Sequence, residues 1–184
     1  MQTLGLADST PRTEGRLKSL FWPSIQSASD VDYLGAQGYW VCALVAVFSL
    51  VVSFFTGNVV IGVFVFLFYY LGGVGVREHS RYAAAAVFVM YVADTVAATP
   101  SIVRVALCGL LLSNLRATWV ASGWKPESDE ANPAPRFDDT WTDKFADKLP
   151  TWLWPKVRIL FYILSVLLFA LTGIGLTMMA LHRH

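Results

Sequence analysis

Residues 39–56 and 59–76 are two apolar runs of 18 residues without one charged side chain, separated only by Gly57 and Asn58. A helix needs about 20 residues to cross about 30 Å of hydrocarbon, and in lipid a helix satisfies its backbone groups within one segment. Both runs are therefore expected to span as helices. Gly57-Asn58 is a turn signal, so they should form a tight hairpin with its tip near one bilayer surface. The cluster Arg77-Glu78-His79-Ser80-Arg81 ends the second run, because charges are costly in lipid.

The next two runs are weaker. Residues 82–99 are alanine-rich and carry Asp94, and residues 102–121 carry Arg104 near the start and Asn114 and Arg116 near the end. Thr99-Pro100 breaks the pattern between them, since proline lacks an N–H and pushes its predecessor out of the helical region. Ser101 is placed to cap the helix that follows. A last run, 157–181, has 25 residues with only Arg158 charged, long enough to cross with tilt. The expected fold is all-α, a polytopic transmembrane helical bundle of about five spans.

Interfacial amphipathic helices should flank it. Phe137, Trp141, Phe145 and Leu149 recur every four residues, with Asp138, Asp139, Asp143, Lys144, Asp147 and Lys148 between them, so one helix face is apolar and the other charged. Pro150 ends that pattern, and Trp152-Leu153-Trp154-Pro155 puts indoles at the headgroup level they prefer. Arg16-Leu17-Lys18-Ser19-Leu20-Phe21-Trp22-Pro23 repeats it in short form. The chain divides into an N-terminal interfacial segment (1–36), a four-span membrane domain of two hairpins (37–121), a loop with the amphipathic helix (122–156) and a fifth span with a short tail (157–184).

Composition agrees with this pattern. The 184 residues are 55% hydrophobic and 15% charged, with mean hydropathy +0.52, whereas a soluble domain is about 25% charged. Little is left for a separate water-soluble catalytic domain. A net charge of +1 gives no basic excess for nucleic acid. Cys42 and Cys108 lie within apolar runs, where a thiol behaves as a small hydrophobe. The polar start, Met1 to Arg16, does not read as a cleavable signal peptide, so the first span is expected to serve as the targeting signal.

Lysine and arginine placement sets the expected orientation. The N-terminal tail, the loop at 77–81 and the loop at 122–156 are basic, whereas the loops at Gly57-Asn58 and Thr99-Pro100 carry no Lys or Arg. Five crossings put every basic loop on one side, which the positive-inside rule makes cytoplasmic. The expected location is the cell inner (plasma) membrane, N-terminus inside and C-terminus outside.

Few residues promise chemistry. Asp94 and Arg104 flank the Thr99-Pro100 turn, about 8 Å and 7 Å of helix rise from its tip, and are expected to pair across the hairpin. That pair, with Asn114, is the candidate ion or substrate pathway; its structural alternative is a salt bridge pinning the hairpin, with Asn114 bonded to another helix. Gly109, Ser113, Ala117 and Ala121, at intervals of four, form a small-residue ridge for helix packing, and Gly62, Gly72, Gly73, Gly75, Gly173 and Gly175 should act similarly. The acidic cluster Glu127-Ser128-Asp129-Glu130 lacks calcium-loop spacing, and His79, His182 and His184 lack zinc-site spacing. There is no nucleophile elbow, phosphate loop or Cys-x-x-Cys pair. No metal or cofactor is expected, and no catalytic residue stands out.

These features suit a non-enzymatic membrane protein that packs, among lipids, with copies of itself or with other membrane subunits. The alternatives are a small oligomeric transporter or channel using Asp94 and Arg104, and a membrane-embedded enzyme acting on lipids through its acidic loop residues.

Overall fold

The computed structural model describes residues 21–23, 25, 28–98, 101–122 and 152–182. Five α-helices account for nearly all of them: α1 (Ala28–Phe55), α2 (Val59–Arg77), α3 (Arg81–Ala97), α4 (Ile102–Ala121) and α5 (Leu153–His182). No strand occurs among the described residues. Four helices carry stretches long and apolar enough to cross a bilayer, Val31–Phe55, Val59–Arg77, Ile102–Ala121 and Leu153–Met178. The fold is a multi-pass helical membrane bundle. The amphipathic pattern at 137–149 and the basic-aromatic residues 16–20 lie outside the described residues.

Two helices start earlier than the apolar runs predict. α1 opens at Ala28 rather than near residue 39, because Val31 and Leu34 are buried against the bundle and hold the helix through polar Asp32 and Gln37. α5 opens at Leu153, so Pro155 falls in the first turn, where a missing N–H costs no helix bond. The membrane helices thus extend past the sequence divisions at 36/37 and 156/157.

The turns follow local chemistry. Gly57 adopts φ 76°, and Asn58 N–H donates to the Ser53 carbonyl at 2.9 Å, closing the α1–α2 hairpin. Ser80 and Ser101 cap α3 and α4, their hydroxyls accepting from Ala83 N–H (3.4 Å) and Arg104 N–H (3.3 Å). His79 has φ 53°, and its Nε2 lies 3.4 Å from Asp32 Oδ1, which ties the α2–α3 turn to the start of α1.

α2 is the central helix, packed on α1, α3 and α5, while α4 closes the other side against α1 and α3. Its glycines explain this. A Cβ at Gly73 would stand 2.8 Å from the Cys42 Cβ of α1, and one at Gly75 would stand 2.6 Å from the Ala83 Cβ of α3. One at Gly72 would meet Phe161 of α5 at 3.0 Å. Lipid tails are as apolar as leucine, so burial gives helices little reason to associate, and close backbone approach supplies the van der Waals contact instead. Phe68, Tyr69 and Phe161 fill the space between, with Phe68 and Phe161 stacked at 5.4 Å. Large apolar side chains point outward, Val60 and Val166 each 71% exposed, as lipid contact requires.

Candidate functional site

A carboxylate stands in the apolar bundle with a single side-chain hydrogen bond: Asp94, three residues before the end of α3. Its Oδ2 accepts a 3.0 Å hydrogen bond from the hydroxyl of Tyr69, whose ring is buried in α2. The rest of the carboxylate is exposed and borders a cavity of about 360 Å³. Phe68 and Tyr69 of α2, Met90 of α3, and Leu171 and Thr172 of α5 line it. The Thr172 hydroxyl is turned to the Met90 sulfur at 3.7 Å. One donor on a group with about four acceptor positions leaves the carboxylate short of partners.

The expected Asp94–Arg104 pair does not form. No contact within 4.0 Å joins Asp94 to Arg104; the acid–base contact the described residues do show is His79 Nε2 to Asp32 Oδ1 at 3.4 Å. Rotation about α3 accounts for the difference. Thr95, next to Asp94, faces α4, with its Oγ1 3.7 Å from Cys108 Sγ. One residue is a 100° turn of a helix, which sends Asp94 toward α2 and α5 while half-buried Arg104 stays on the α4 side. Tyr69 was not singled out from the sequence, although depth gives a signal. Counted from the turn at 78–80, Tyr69 lies about 15 Å and Asp94 about 20 Å into the bundle, a gap that a tyrosine side chain spans.

Asn114 is buried on α4 and bonded to another helix, its Nδ2 donating to the Leu34 carbonyl of α1. Thr118 Oγ1 donates back to the Asn114 carbonyl at 2.8 Å. Around it, Ser113 and Ala117 are each 1% exposed and Ala121 is half-buried. Gly109 meets a side chain from the N-terminal segment: a Cβ there would stand 3.2 Å from the Phe21 ring. Arg116 holds the same segment, donating to the Pro23 carbonyl at 3.0 Å with its guanidinium 4.6 Å from the Trp22 ring centre. Residues 21–23 are thereby clamped onto α4.

A second cavity, about 380 Å³, lies between α1 and α4, bordered by Tyr33, Gln37, Trp40, Leu44, Leu107 and Leu110. Gln37 Oε1 and Trp40 Nε1 are buried beside it without a hydrogen-bond partner. Among the described residues no three His, Cys, Asp or Glu side chains gather as metal ligands. Comparison with known protein families, curated proteins and solved structures finds no match to this chain. The geometry therefore has to carry the functional reading.

Proposed function

We propose that this protein is an assembly component of the cell inner membrane, crossing it five times with its N-terminus in the cytoplasm and joining copies of itself or other membrane subunits. The observation that carries the reading is the outward-facing glycine pair Gly173 and Gly175 of α5. Gly173 and Gly175 would each meet nothing within 4 Å if given a Cβ, while the glycines in the second half of α2 each seat a neighbouring helix. Leu171, Ile174 and Leu181 of the same helix are all more than half exposed. Small residues at helix level exist to admit another helix, so this surface suits an incoming span.

The fifth crossing belongs to α3. Its 17 residues rise about 26 Å, and it packs along both α2 and α4. With α3 crossing, the basic loops share one face of the membrane. The assembly reading is tested by native mass spectrometry of the protein extracted in mild detergent, comparing wild type with Gly175→Leu. Wild type should carry a second chain or further copies, and the variant should lose them while keeping its helical content. A wild-type protein that emerges alone, free of any other chain, would end the proposal.

A solute pathway at Asp94 is the second reading, favoured by the cavity that carboxylate borders. The other residues lining that cavity are apolar apart from the Tyr69 and Thr172 hydroxyls, which gives a permeating ion few oxygens. Flux abolished by Asp94→Asn with assembly intact would favour this reading over the first.

A further inference from the structure

We propose that the cavity between α1 and α4 binds one glycerolipid with a free hydroxyl, Gln37 accepting from that hydroxyl and Trp40 donating to an ester carbonyl of the same molecule. The inference stands on the membrane fold and is independent of the assembly reading.

Two open polar atoms point to a ligand there. Gln37 Oε1 and Trp40 Nε1 are both buried without a hydrogen-bond partner, and both residues border the same space of about 380 Å³. They stand three positions apart on α1, which puts them on one face of the helix, about one turn from each other. Hydrocarbon supplies no hydrogen bonds, so an open acceptor beside an open donor is costly unless a bound molecule completes both. That molecule has to offer an O–H or N–H to Gln37 and a lone pair to Trp40. A bare acyl chain offers neither.

Depth along α1 selects the class. The helix has 28 residues and rises about 42 Å, against about 30 Å of hydrocarbon. Counted about 20 residues back from Phe55, the hydrocarbon ends near residue 36. Gln37 therefore sits at the headgroup boundary and Trp40 about one turn deeper. Leu44 lies deeper again, and Leu110 and Leu107 of α4 border the same space beyond Asn114, which is bonded to the Leu34 carbonyl at the headgroup end. From the surface inward the wall thus runs acceptor, donor, leucines. A diacylglycerol is built in the matching order: hydroxyl, ester carbonyl, acyl chain. A sterol brings one hydroxyl and no ester, so it has no second group for the deeper turn.

Access and size agree. Tyr33 and Leu44 at the rim are 52% and 60% exposed, so the cavity opens sideways to the bilayer and the remainder of the lipid stays among its neighbours. The volume falls within the ~300–1,000 Å³ usual for small-molecule sites.

The full chain, stripped of lipid in mild detergent, is titrated with dioleoylglycerol, with its methyl ether and with cholesterol, and bound copies are counted by native mass spectrometry. The ether keeps both ester carbonyls but has no O–H to donate. Wild type should take up one dioleoylglycerol and bind the ether and cholesterol at least tenfold more weakly. Gln37→Leu should bring dioleoylglycerol down to the level of the ether while leaving the ether unchanged, and Trp40→Phe should weaken both. Because Gln37→Leu deletes an atom without a partner, its helical content should match wild type. No saturable binding, or equal binding of dioleoylglycerol and its ether by wild type, would overturn the proposal. Cholesterol binding more tightly than dioleoylglycerol would overturn the glycerolipid assignment in favour of a sterol.

Leu107→Trp fills the cavity without touching either polar atom, and it should abolish uptake of dioleoylglycerol. Undiminished uptake by that variant would put the lipid elsewhere. A second chain carried by wild type, lost from Leu107→Trp and accompanied by no lipid would make the cavity a seat for a helix and refute the lipid site.

Discussion

Gly38→Ala is the sharpest probe of how α1, α2 and α4 are held together. A Cβ at position 38 would stand 2.7 Å from Val76 Cγ1 of α2 and 2.7 Å from Asn114 Cγ of α4. Neither neighbour has room to yield: Val76 and Asn114 are 1% and 2% exposed, and Asn114 is fixed by its bond to the Leu34 carbonyl. Overpacking of this kind costs about 1–3 kcal/mol. Displacing Asn114 also loses an interhelical hydrogen bond, worth about 0.6 kcal/mol on average in membrane proteins. Alanine regains about 0.5–1 kcal/mol of helix preference over glycine, as measured in water. The net expectation is a destabilisation of about 0.6–3 kcal/mol, read as a shift in the denaturant midpoint of the protein unfolded from mixed micelles. Gly173→Ala is the control, because a Cβ there meets nothing within 4 Å and stability should stay within about 0.5 kcal/mol of wild type. A Gly38→Ala variant as stable as wild type, or a Gly173→Ala variant equally damaged, would refute the three-helix contact.

Two further outcomes are expected. Trp154 packs its ring over Gly75 and Ala83 and lies 5.7 Å from the Phe161 ring centre, so Trp154→Ala should destabilise by about 3 kcal/mol and loosen α5 from α2, measured in the same unfolding titration. In a cysteine-free background, Asn58→Cys and Ser101→Cys should react with an impermeant maleimide added to intact cells, whereas Arg81→Cys and Ser122→Cys should react only after permeabilisation. Labelling of Asn58→Cys and Arg81→Cys from the same side would contradict the crossing of α2.

The helical membrane fold, the hairpin at Gly57-Asn58 and the Ser101 cap were legible in the chain, because each depends on near neighbours: apolar run length, a residue able to take positive φ, a hydroxyl before the first turn. The early start of α1 was not. Asp32 and Gln37 make residues 31–38 look polar, and only burial of Val31 and Leu34 against other helices shows that the helix runs through them.

The polar site divides in the same way. That Asp94 needs a partner follows from its charge and its place in an apolar segment, which the sequence alone supplies. Which partner it takes depends on rotation about the helix axis, and one residue's 100° separates a neighbour on α4 from one on α2. Hairpin depth pointed to Arg104; packing turned the carboxylate to Tyr69. Glycine positions were likewise plain from the sequence, but not their occupancy. Gly72, Gly73 and Gly75 seat helices of this chain, while Gly173 and Gly175 face outward. Small residues state only that a neighbour can come close, and the arrangement of all five helices decides whether that neighbour lies within the chain.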